Sequence, residues 1–177
     1  DIDSTYGHDA FLVEINKFKK SYPDYTLEQL DPVKHHGEII DLFNKWVSDR
    51  VRYMPKEEAE LFLEGIHQER HAIKHMLKYY DKLSLIGIVI YINSQIKGFT
   101  VGEQISEDTA TVIIEKTDFE VLGCAQFIFR EFSKILKEHY SVSYINVGDD
   151  MGFENLRKVK MSYRPFKLVP KYTIYQK

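Results

Sequence analysis

Tyr144-Ile145-Asn146-Val147-Gly148-Asp149-Asp150-Met151-Gly152-Phe153-Glu154-Asn155-Leu156-Arg157-Lys158-Val159-Lys160-Met161-Ser162-Tyr163-Arg164-Pro165 reads as a short apolar strand, an acidic turn and a cationic helix. The strand closes on Asn146, and Gly148 and Gly152 let the backbone bend at low steric cost. A loop at the carboxyl end of a strand is where open sheets place ligands. The helix carries Arg157, Lys158 and Lys160 and stops before Pro165. Such cations suit phosphate recognition, Arg157 first and Lys160 next. They equally suit a solvated helix face.

Working outward, the chain alternates helices and strands. Phe11, Leu12, Ile15 and Phe18 share one helical face until Tyr22-Pro23 ends the period. Tyr25, Leu27 and Leu30 mark a short strand. A helix is expected over 33–51, carrying Ile39, Leu42, Phe43, Trp46 and Val47 on its buried side. Pro55, followed by Glu57 and Glu58, opens a second helix that reaches about Tyr80. Three strands follow, over 85–91, 95–103 and 109–115. Asn93-Ser94 turns the first hairpin and Ser106-Glu107-Asp108 the second. A helix over 122–137, the strand at Tyr144, the basic helix and a final strand over 168–175 complete the order β-α-α-β-β-β-α-β-α-β. Residues 1–22 read as an N-terminal stub or linker helix and 23–177 as the domain.

Three segments carry a family resemblance. Asn146, Asp149-Asp150, Gly152, Leu156-Arg157-Lys158, Lys160 and Ser162-Tyr163-x-Pro165 form the first and most specific. Glu115-Lys116 with Gly123, Gln126 and Ile128 form the second, and Gly98-Phe99-Thr100-Val101-Gly102-Glu103 the third. Together they resemble the C-terminal domain of phosphatidylglycerol lysyltransferases and its soluble relatives, over about residues 15 to 172. The sequence departs from that pattern at Val147-Gly148 and at Cys124-Ala125, which bears on substrate identity more than on fold.

The resemblance implies an α/β (α+β) fold, the GNAT acyltransferase-like mixed sheet flanked by helices, which is also the element order read from the sequence. It implies a tandem arrangement, of which this chain would supply the C-terminal half. It implies Lys116, Gly123, Gln126, Asn146, Arg157, Lys158, Lys160 and Tyr163 as substrate-binding positions, with Asp150 joining Glu103 and Glu115 as acid–base candidates. Asn146, Asp150 and Arg157 are expected around one pocket.

Composition bounds the class. The 177 residues, 44% hydrophobic, suffice for one domain with a substantial core. Net charge is −3, so no global positive field advertises nucleic acid. One cysteine, Cys124, excludes an internal disulfide and fits a reducing compartment. No apolar run is long enough to span a membrane, and Asp1-Ile2-Asp3-Ser4 does not open like a signal peptide. A cytoplasmic location is expected, peripheral to the membrane if the acceptor is a lipid.

A coenzyme A pyrophosphate loop would fall at Glu120-Val121-Leu122-Gly123-Cys124-Ala125. Gly123 and Ala125 fit a phosphate cradle at a helix N-terminus. Glu120 does not, because its carboxylate repels a pyrophosphate. Coenzyme A is disfavoured on that ground, and no cofactor is expected. The other reading of Gly123 is that it only lets a helix pack closely. His67, His71 and His75 share one helical face, but Glu69 stands wrongly for a helical zinc-protease motif, and Arg70 and Lys74 oppose a cation. No metal is expected there. His35-His36 read as surface residues. Cys124 lacks an acid–base partner in the sequence and is a poor nucleophile candidate.

Glu103 and Glu115 each end an expected strand, and strand ends can meet at one cleft. A carboxylate partly withdrawn from water there suits a general base. The alternative for Glu115 is an ion pair with Lys116 or a helix arginine. The function expected is transfer of an aminoacyl group from aminoacyl-tRNA to a lipid, peptide or amine acceptor. The alternatives are an acetyl-CoA-dependent N-acetyltransferase and a non-catalytic module binding tRNA or an anionic phospholipid surface.

Overall fold

The computed structural model describes residues 9–176, so the opening of the expected stub lies outside the described residues. In chain order the elements are α1 (Asp9–Ser21), β1 (Thr26–Gln29), α2 (His36–Val51), α3 (Lys56–Lys78), β2 (Ile86–Ile92), β3 (Gln95–Gln104), β4 (Thr109–Thr117), α4 (Cys124–Tyr140), β5 (Tyr144–Asn146) and α5 (Glu154–Ser162). The strands form one mixed sheet in the order β1-β2-β3-β4-β5. The first three pairings are antiparallel and the β4–β5 pairing is parallel.

β2 is an unbroken apolar run, Ile86-Gly87-Ile88-Val89-Ile90-Tyr91-Ile92, because helices cover the sheet on both sides and alternation is unnecessary. Asn93 and Ser94 both take positive φ, 50° and 60°, the two-residue hairpin geometry that matches strand twist. On one side, Ile39, Phe43 and Val47 of α2 and Ile73 and Leu77 of α3 cluster with Val89, Phe99 and Val101 of the sheet. On the other side lies α4, whose Phe127, Ile128, Phe132 and Leu136 are fully buried. It approaches β3 closely because Gly102 has no side chain. A Cβ there would stand 2.3 Å from the Thr111 carbonyl and 3.2 Å from the Phe132 ring.

Helix α1, expected as a stub or linker, packs onto α4. Phe18 is fully buried and stacks on Phe127 with ring centroids 4.5 Å apart. Gly123 makes this contact possible. It sits in the left-handed region at φ 77°, and a Cβ on it would fall 2.3 Å from the Glu14 carbonyl oxygen of α1.

Three expectations are corrected. The helix expected from Val33 begins at His36, because Asp31 Oδ1 accepts the Val33 and Lys34 N–H groups at 2.8 and 2.9 Å and holds a turn there. His35 is no surface residue: it is fully buried, and its Nδ1 accepts the Asp31 N–H at 3.0 Å. The strand expected over 168–175 does not form. Its alternating apolar side chains stay in solvent, Leu168 at 72% and Ile174 at 93% exposure. Pro170 lacks the N–H that a ladder needs, and no described strand pairs with the segment.

The chain divides into two compact bodies, one of Asp9–Gly148 and one that includes 149–176. Among the described residues no helix is long and apolar enough to cross a membrane.

The α1–α4 contact is tested by Gly123→Ala. A side chain at that φ costs about 1–3 kcal/mol from backbone strain alone, and the clash with Glu14 adds to it. Thermal denaturation should show a clear loss of stability, whereas Gly65→Ala, in open space on α3, should leave the melt unchanged or raise it.

Candidate active site at the β4 edge

β5 pairs with β4 over three positions only, Thr109↔Tyr144, Ala110↔Ile145 and Thr111↔Asn146. Thr111 Oγ1 donates to the Asn146 carbonyl at 3.1 Å at the last of them. Asn146 then turns the chain away, its Oδ1 accepting the Gly148 N–H at 2.8 Å. β4 runs on to Thr117 beside β3, so its outer edge from Val112 onward has no strand beside it in the sheet. The N-terminal end of α4 follows after a short turn. In open sheets a ligand sits where neighbouring parallel strands part, which makes this stretch the candidate site of the larger body.

Glu115 lies along that edge. The residue is partly accessible, yet its Oε2 is sealed from solvent and has no hydrogen-bond partner. Burial pushes its carboxyl up to about 8. Directly across the ladder stands Thr100, fully buried, whose hydroxyl is also unpartnered. Paired residues of adjacent antiparallel strands share a face. Cys124, also buried, is pushed up to about 12 by burial first and then by the charges of Glu115 and Asp118. Its Sγ donates to the Lys97 carbonyl at 3.7 Å, so it is a poor nucleophile. A carboxyl, a hydroxyl and a thiol thus form a withdrawn polar group behind the edge. Thr100 was not a sequence candidate; the signal was a lone hydroxyl between Phe99 and Val101 in an apolar strand.

The neighbouring Lys116 points to the opposite face, as alternate strand residues must. It pairs with Glu69 of α3 at 2.9 Å and lies 3.7 Å from the Trp46 ring centre. Burial lowers its ammonium despite Glu69. The expected Glu115–Lys116 tie is therefore replaced by a Lys116–Glu69 tie. Glu103 does not join Glu115. It pairs with Thr111, four residues earlier on β4, which is about 13 Å along the strand. Adjacent antiparallel strands have their carboxyl termini at opposite ends of the ladder, so those of β3 and β4 cannot share a cleft. Glu103 instead lines a separate groove with Leu83, Ile105 and Tyr140.

Where α4 begins, Asp118 is the anchor. Its side chain is fully buried and accepts from Lys45 and Lys97, each at 3.0 Å, and from the Glu120 N–H. Burial opposes its ionisation, but these donors win and hold it below the usual carboxylate range. Glu120 is exposed and lies 3.2 Å from Lys45. Gln126 is half-buried in the first turn of α4. Gly123 faces the Glu14 backbone.

Within the C-terminal body, Arg157 Nε donates to Asp150 at 2.5 Å, and the Gly152 N–H donates to the same carboxylate at 2.9 Å. The Arg157 bond first, then the Gly152 N–H, hold Asp150 below the usual range, which makes it a weak base. Lys160 donates to the Asp149 carbonyl at 2.6 Å, and Lys171 to the Asp149 carboxylate at 2.6 Å. Lys158 pairs with Glu154 at 2.9 Å, and Tyr163 caps α5 through its N–H to the Lys160 carbonyl. Asp150 and Arg157 are paired within this body, and Asn146 belongs to the larger one.

His67 and His71 stack at 5.0 Å, and among the described residues no three His, Cys, Asp or Glu are grouped to hold a metal ion.

A mixed sheet with an open edge between its parallel strands, flanked by helices, is the GNAT acyltransferase fold. A ribosomal-protein-alanine N-acetyltransferase from Brucella melitensis biovar Abortus shares it, with 13% identity and a TM-score of 0.54 over 86% of this chain and 96% of that one. So does the C-terminal domain of a putative lysylphosphatidylglycerol synthetase from Agrobacterium fabrum, at 11% identity and a TM-score of 0.58, covering 93% of this chain and 55% of that one. A conserved protein of unknown function from Bacteroides thetaiotaomicron is 33% identical, with a TM-score of 0.77 over 90% of this chain. This chain spans 50% of the length of that protein. No curated protein matches. The family model for phosphatidylglycerol lysyltransferase, C-terminal, matches residues 13–175, and the chain belongs to that family.

The Glu115 proton has a thermodynamic signature. Folded, the carboxyl holds its proton to about pH 8; unfolded, it titrates near 4.5. The stabilisation linked to that proton is complete below 4.5 and is lost as pH rises through about 8. Glu115→Gln cannot titrate. Its melting temperature should therefore rise relative to wild type on going from pH 5 to pH 8.5, and parallel melts across that range check it.

Proposed function

We propose that this acyltransferase domain moves an aminoacyl group from the ester of an aminoacyl-tRNA to a hydroxyl or amine acceptor. The observation that carries the reading is the Glu115 carboxyl, unpartnered and pushed up to about 8 beside the open β4 edge. An ester donor is already activated. The protein must hold donor and acceptor together and take the proton that the acceptor loses. The carbonyl carbon gains a bond to the acceptor and loses the one to the tRNA ribose oxygen, which leaves with a proton. Glu115, once deprotonated, would accept the acceptor's proton. Family membership supports the donor class, and the acceptor is a lipid, peptide or amine. The reading places the domain in the cytoplasm, where aminoacyl-tRNA is made, and at the membrane surface if the acceptor is a lipid.

An acetyl-CoA-dependent N-acetyltransferase is the second reading, favoured by the fold shared with the Brucella enzyme. Two features weigh against it here. The Glu14 carbonyl of α1 stands where a Cβ on Gly123 would fall, so close helix packing accounts for the glycine without a phosphate cradle. Glu120 adds a carboxylate to the same turn.

The test uses the complete gene product with tRNA charged with a labelled amino acid and a panel of phosphatidylglycerol, peptide and amine acceptors. Labelled product is expected, with a rate that climbs as pH rises through about 8. Glu115→Gln should lower the rate by about 10²–10⁴-fold and flatten that climb. Calorimetric titration with acetyl-CoA should show no tight binding. Low-micromolar affinity for acetyl-CoA, with no aminoacyl transfer, would replace the first reading with the second.

A further inference from the structure

An open groove of about 660 Å³ lies between α3 and the start of α2, away from the β4 edge. One wall is a stripe of α3: His71, Lys74, His75 and Lys78. Spacings of three and four put these four side chains on one helical face, over about 10 Å of helix. The other wall is the turn after β1, with Val33 and His36. None of the lining residues is acidic, in a chain whose net charge is −3.

The lysines of the groove differ from many others in the protein. Lys17, Lys45, Lys97, Lys116, Lys158 and Lys171 each lie against a carboxylate. Among the described residues neither Lys74 nor Lys78 has such a partner, and Lys78 instead lies 5.2 Å from the Tyr79 ring centre. The imidazoles are held by ring contacts, His71 against His67 at 5.0 Å and His75 edge-on to Tyr79 at 6.1 Å. His36 is the first residue of a 16-residue helix, so the positive end of that helix dipole faces the same region. Two acids lie close in sequence: Asp31 spends its Oδ1 on the Val33 and Lys34 N–H groups, and Glu38, in the first turn of α2, accepts from the Tyr91 hydroxyl at 2.9 Å.

Two unneutralised ammoniums, three imidazoles and a helix N-terminus around one concavity oppose a cation and attract a multiply charged anion. We infer that this groove is a binding site for a chain of phosphate groups, with Lys74 and Lys78 each taking one phosphate and the imidazoles donating hydrogen bonds. A free polyphosphate and the backbone of an RNA present the same chemistry. A concave groove suits such a chain better than the plane of a membrane. The inference does not depend on the transfer reaction proposed above.

The test is a titration of the folded domain with inorganic tripolyphosphate, followed through the imidazole carbon-bound proton resonances. His36, His71 and His75 should shift together and saturably, while His139, on α4, stays in place. Lys74→Gln combined with Lys78→Gln should raise the dissociation constant at least tenfold with an unchanged melting temperature. His71→Gln alone should weaken binding less. Displacement of tripolyphosphate by uncharged tRNA identifies an RNA backbone as the ligand, and displacement by ATP but not tRNA identifies a small polyphosphate. Absence of shifts at the three histidines, or equal affinity in the double lysine variant, overturns the inference. Competition only by phosphatidylglycerol vesicles also overturns it, in favour of a membrane-facing role.

Discussion

The parting of two parallel strands governs this molecule. β5 stays with β4 for three residues and then leaves at Asn146, whose side chain holds the turn at Gly148. A parallel ladder that continued would have covered the edge of β4 and closed the sheet. Because it stops, β4 presents several residues whose outer backbone has no strand beside it, at the depth where Glu115 and Thr100 sit. Glu115 lies on that stretch of β4, with its Oε2 sealed from solvent and its proton affinity raised by burial.

A buried charge network ties together the elements around the start of α4. Asp118 is fully buried between Lys45 of α2 and Lys97 of β3, with the Glu120 N–H as a third donor. A buried carboxylate is costly unless it is paired and hydrogen-bonded, and here two ammoniums and an amide donate to it. The network joins α2, β3 and the turn into α4, so the floor of the site cannot drift from its wall. The α1–α4 contact does the same from outside. Phe18 on Phe127 and the Glu14 backbone at Gly123 fix α1 against the start of α4.

Physical detail also separates the acidic candidates. Asp150 is tied to Arg157 and the Gly152 N–H and stays ionised, which suits holding a turn. Glu115 has neither cation nor N–H at its Oε2 and keeps its proton toward neutral pH, which suits exchanging one. Neighbours alone produce that contrast between two carboxylates. Lys116 shows the same dependence, since its ammonium is lowered by burial on the face away from Glu115.

The sequence by itself determined the element order as far as the basic helix, the hairpin at Asn93-Ser94 and the helical face of α2, because these depend on period and on local turn chemistry. The wording of residues 146–165 and 115–128 also carried the family. It determined Glu115 as a candidate, since a carboxylate at the end of an expected strand is conspicuous in one dimension. Only the tertiary structure decided which charges meet. Glu103 and Glu115 look equivalent in sequence, yet antiparallel register sets them about 13 Å apart along the sheet. His35 looks like its neighbour His36, yet one is sealed in the core and the other lines a groove. The alternation over 168–175 promised a strand, but a strand needs a partner with free N–H and C=O groups, and Pro170 and solvent left it without one. Periodicity fixes what a segment can bury; register, partners and desolvation are long-range, and they decide what it does.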